Sequence, residues 1–75
     1  EQARIRKLKN DILKVEEKIK ANEERLNELD ELLADPEIAK NSAKLNEISK
    51  EQDKISETLD ELMVQWEELS DLLDE

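Results

Sequence analysis

Two runs of apolar side chains, each stepping alternately by three and four residues, constrain this chain more than any other feature. The first comprises Ile5, Leu8, Ile12, Val15, Ile19, Asn22, Leu26, Leu29 and Leu33. The second comprises Leu45, Ile48, Gln52, Ile55, Leu59, Leu62, Trp66, Leu69 and Leu73. Sixteen of these eighteen positions are apolar, Asn22 and Gln52 being the exceptions. A sustained repeat of 3.5 residues keeps one stripe of a helix turned toward a partner helix. A strand would need a period of two, which neither run shows. The spacing therefore predicts an all-α chain.

Between the runs lies Ala34-Asp35-Pro36-Glu37-Ile38-Ala39-Lys40-Asn41-Ser42. Proline cannot donate to the preceding turn and disfavours helical geometry at Asp35, which ends the first helix near Ala34. Asp35 then serves as a cap, Pro36 opens a new turn, and Glu37 sits near its positive end. Asn41 or Ser42 supplies the next cap. The expectation is a two-helix antiparallel coiled-coil hairpin with a short helical turn around Pro36. Its first helix covers about 2–34, its turn 35–41, and its second helix about 42–73, with Ile38 folded back onto the seam. Two alternatives stand beside it: one helix kinked at Pro36, and a parallel dimer of unbroken helices.

An antiparallel seam pairs residues whose numbers sum to a constant, and the turn allows 74 or 81. A sum of 74 sets Asn22 opposite Gln52, so that the two amides satisfy each other. A sum of 81 sets Asn22 against Leu59 and Gln52 against Leu29. An unpaired buried amide costs about 1–3 kcal/mol, which favours 74. Asn22 and Gln52 are accordingly expected to act as a register pair, with Arg25 near Glu51 on the flank. Trp66 is expected to fill the core. A chain of this size should fray at the open end of the hairpin.

Composition excludes most chemistry. The 75 residues include no Gly, Cys, His, Tyr or Phe. Phosphate-cradling loops and calcium loops need glycine, and thiol or imidazole catalysis and ordinary zinc sites need Cys or His. Acidic neighbours such as Glu67-Glu68 point to different helix azimuths and form no catalytic dyad or metal cage. No catalytic residue, metal site or cofactor is expected in this fragment. The longest apolar runs are three residues, so no membrane span is expected. A start at Glu1 rather than Met suggests a piece of something longer, and the lack of Cys is compatible with the cytoplasm.

Charge is segregated along the chain. The net charge is −10, yet the first twenty residues hold seven Lys/Arg against four Asp/Glu. Arg4, Lys7, Lys14, Lys18 and Arg25 fall along one flank of the first helix, interrupted by Asp11. They are the candidate nucleic-acid-binding residues, offering phosphate contacts where the local field is positive. The bland reading is a solvated helix face. No aromatic interleaves these lysines to stack on bases. On the second helix Ser49, Ser56, Met63 and Ser70 make an uncharged flank at heptad spacing.

Two stretches carry a family resemblance. Leu32-Leu33-Ala34-Asp35-Pro36-Glu37 followed by Lys44-Leu45-Asn46-Glu47-Ile48, and Leu62-Met63-Val64-Gln65-Trp66-Glu67-Glu68-Leu69, are the segments concerned. Together they resemble the C-terminal coiled-coil domain of ABC-F family ATPases, the Uup-like branch in particular. Gln65 stands where that family often has arginine, and Met63 and Ile38-Ala39 where it often has aromatics. The resemblance implies a cytoplasmic parent protein with two ATP-binding cassettes using ATP and Mg outside this chain. It also implies ribosome association, with DNA, ribosomal RNA or transfer RNA as partners of the basic first helix. The expected unit is a monomeric hairpin docked to the cassettes of its own parent chain. The rival expectation is a purely structural hairpin for protein–protein docking or self-association.

Overall fold

The structure is a computed structural model that describes residues 1–74. Helix α1 spans Gln2–Leu33, α2 spans Pro36–Ala39 and α3 spans Ser42–Asp74. The two long helices lie antiparallel in a rod of 57 × 15 × 13 Å. The unit is an all-α helical hairpin.

The turn is built without glycine, and no described residue has positive φ. The last turn of α1 tightens through bonds from the N–H of Ala34 to the Glu31 carbonyl and from that of Asp35 to the Leu32 carbonyl, both 3.1 Å. Asp35 then becomes extended (φ −76°, ψ 122°), the geometry that a following proline favours. Its Oδ1 accepts from the Glu37 N–H at 2.9 Å, and Pro36 occupies the first turn, where no amide hydrogen is missed. Of the two candidate caps for α3, Asn41 fills the role: its Oδ1 accepts from the Lys44 N–H at 3.2 Å.

The core lies along the seam. Val15, Leu29, Ile48, Ile55 and Leu62 are buried, and Leu29 is the most enclosed at 1% exposure. Leu29, Ile48 and Ile55 form a cluster near the turn, with Leu26, Leu33, Ile38 and Leu59 packed against it. Ile38 thus does return to the seam, carried there by α2. Ile5, toward the open end of the hairpin, is 39% exposed.

The register differs from the one that amide pairing favours. Leu29 packs between Ile48 and Ile55, the two neighbours of Gln52 along the seam. Val15 shares a cleft with Gln65 and Leu69, and Ile19 shares a groove with Met63 and Trp66. These contacts belong to the sum of 81, one heptad away from 74. Asn22 therefore does not face Gln52. Asn22 Nδ2 donates to the Lys18 carbonyl at 2.7 Å, and Gln52 Nε2 donates to Asp30 Oδ1 at 3.0 Å.

Two physical reasons account for the shift. Each amide finds a partner without the other, and no buried side-chain polar atom among the described residues lacks one, which removes the penalty that favoured 74. The turn is also not a bare loop. Because α2 packs as a helix against both long helices, it occupies a seam layer, and the centre of the hairpin moves from residue 37 to between 40 and 41. Trp66 is corrected as well: in this register it stands opposite Val15 and remains 37% exposed, too large for the seam to enclose.

Candidate nucleic-acid interface

The heptad period of α1 puts Arg4, Asp11, Lys18 and Arg25 on one flank of the seam, and Lys7 and Lys14 join them by helical spacing. From residue 4 to residue 25 the row extends roughly 32 Å at 1.5 Å per residue. All five basic residues are exposed.

Their surroundings divide them. Arg25 is held by carboxylates: its Nε donates to Glu51 at 2.6 Å, its Nη2 to the other Glu51 oxygen at 3.2 Å, and its Nη1 to Glu28 at 2.9 Å. The hydrogen bond from Arg25 is the main cause that lowers the Glu51 pKa, and the bond to Glu51 raises that of Arg25. A guanidinium with three such bonds has little left for a phosphate. Arg25 is an interhelical tie.

Lys14 and Lys18 flank an open cleft between α1 and α3, together with Asp11, Val15, Gln65, Glu68, Leu69 and Leu72. Lys7 stands outside that cleft, toward the open end of the rod. Arg6 and Lys9, with Gln2 and Ile5, line a further shallow surface there and were not among the candidates. Glu68 was missed for another reason. It faces Lys14 and Lys18 only in the 81 register, so the amide argument that selected 74 concealed it. No group of three or more His, Cys, Asp or Glu among the described residues is placed to hold a metal ion. None of the described helices is long and apolar enough to cross a membrane.

Residues 3–71 match the ABC transporter C-terminal domain, a span that takes in the whole basic flank, the turn and Trp66. The chain belongs to the ABC transporter C-terminal domain family. It is thus an accessory domain of an ABC protein rather than a cassette. Among individual proteins, it is 40% identical over 48 residues to YdiF of Bacillus subtilis (strain 168), described as ATP-binding; the match covers 64% of this chain and 8% of YdiF. It is 50% identical over 44 residues to peptide chain release factor 1 of the same strain, covering 59% of this chain and 12% of that factor. Peptide chain release factor 1 of Lysinibacillus sphaericus (strain C3-41) matches with the same identity and coverage. The ABC transporter C-terminal domain thus spans only a small fraction of the length of the curated relatives it matches. No solved structure matches the chain.

Proposed function

We propose that this hairpin is the nucleic-acid-contacting accessory domain of a cytoplasmic ABC-F ATPase, meeting ribosomal or transfer RNA, or DNA, through α1. The observation that carries the reading is the exposed row Lys7, Lys14 and Lys18, set in the basic end of a chain whose net charge is otherwise strongly negative. Such a row gives phosphate contact without base readout, which suits a domain with a single aromatic residue. ATP and Mg would be bound by cassettes elsewhere in the parent chain.

Charge reversal of Lys7, Lys14 and Lys18 together tests this contact. Retention of RNA should fall, and the slope of log affinity against log salt should flatten by about three if each lysine meets one phosphate. Unchanged retention would reject the surface.

One observation favours the rival reading. Glu68 lies across the cleft from Lys14 and Lys18, and the stretch 61–74 of α3 beside the basic end of α1 has no Lys or Arg. If that acidic wall cancels the field of α1, the hairpin is a protein–protein docking element. It would then retain no RNA even at low salt.

A further inference from the structure

We infer that the groove between α1 and α3 at Trp66 is a docking site for a basic amphipathic helix of another protein. The groove is lined by Glu16, Ile19, Lys20, Glu23, Met63 and Trp66, and lies on the opposite side of the seam from Lys14 and Lys18. Its floor is apolar: Met63 is 46% exposed, and Trp66 is only partly covered. Leu13, at 57% exposure, stands on the face of α1 that carries Glu16 and Lys20, three and seven residues further on. Ser56 and Ser70, one heptad either side of Met63, are small and uncharged. An unbranched thioether beside an indole is a surface that adapts to apolar side chains of varied shape.

The rim selects the sign of the occupant. Asp60 and Glu67 lie three residues before and four after Met63, hence beside it on α3. Glu16 and Glu23 line the groove with the single Lys20, and all four carboxylates are exposed. None of the four is in an ion pair among the described residues. A helix with apolar residues at three- and four-residue spacing and Lys or Arg on both borders complements that pattern. A nucleic acid would be repelled by it, which separates this surface from the basic flank of α1.

Trp66 is the only aromatic residue of the chain, so its fluorescence reports on the groove alone. The probe is a Leu/Lys peptide of about five helical turns, with Leu at helical spacing and no aromatic residue. Adding it should give a saturable blue shift of Trp66 emission. The variant E16Q/E23Q/D60N/E67Q should weaken the peptide about tenfold or more, while E31Q/E37Q/E47Q/E57Q, which removes the same charge elsewhere, should change it less than about twofold. Circular dichroism confirms that both variants stay helical. Equal weakening in the two variants would mean that the peptide answers only to net charge, and would overturn the proposal. So would the absence of a shift, or a blue shift on concentrating the chain alone, which would assign the groove to a second copy.

Discussion

Gln52 donates its amide to Asp30 Oδ1 at 3.0 Å, and Asp30 directly follows Leu29, the most enclosed side chain of the hairpin. The bond gives this half-buried polar residue of the seam a partner other than Asn22. It also frees Gln52 from any need of Asn22, which bonds its own helix at the Lys18 carbonyl. In this register the two amides are one heptad out of step, roughly 10 Å along the axis.

The two amides should therefore be energetically independent. Asn22→Leu, facing Leu59, should stabilise the hairpin by about 1 kcal/mol, because the amide it removes serves only a local bond. Combined with Gln52→Leu in a double-mutant cycle, the coupling should stay within about 0.5 kcal/mol in urea titrations. A larger coupling would mean that the amides meet.

The core near the turn carries the stability. Leu29→Ala should cost about 3 kcal/mol, measured by the same titrations, because the cavity cannot collapse between Ile48 and Ile55. Leu13→Ala, at an exposed site, should stay within about 0.5 kcal/mol.

The helical turn should be as important as its cap. Asp35→Ala removes the acceptor for the Glu37 amide and should lower stability by about 1 kcal/mol. Ile38→Ser should cost more, since it uncovers Leu29 and its neighbours and removes the apolar anchor that holds α2 in the seam.

The tie between Arg25 and Glu51 should show in the pH dependence. Glu51 is held below its ordinary value of 4.5, first by the hydrogen bond from Arg25. A carboxylate depressed in the folded state contributes stability that is complete above its unfolded value and is lost as pH falls through the folded one. The gap in thermal midpoint between the native chain and Glu51→Gln should hold from pH 7 to about 5 and close below 4.5. Both groups are exposed, so added salt should narrow the gap at neutral pH.

Several features were legible in the sequence for clear physical reasons. Heptad spacing fixed the two long helices and their shared seam, and Asp35-Pro36 marked the break because proline denies the preceding residue helical geometry. Ile38 was readable as an apolar residue with nowhere else to go. The register was not readable, because both sums satisfy the seam and both allow Arg25 to reach Glu51. Pairing the amides looked decisive only while Asp30 was a bystander and the helical turn was given no layer of the seam. The same misreading hid Glu68 beside Lys14 and Lys18, and hid the exposure of Trp66. Side chains that bond outside the seam are invisible to a rule that counts only the seam.

The distance between labels at two exposed lysines tests the register, and with it every face described above. The chain has no cysteine, so Lys14→Cys and Lys54→Cys can carry spin labels without disturbing the seam. With numbers summing to 81, position 14 lies opposite 67 and the labels are offset by roughly 20 Å along the rod. With 74 the offset is roughly 9 Å, and in one unbroken helix it is roughly 60 Å. A dipolar distance matching the first offset is the expected result; one matching the second would return Asn22 to Gln52 and contradict the account.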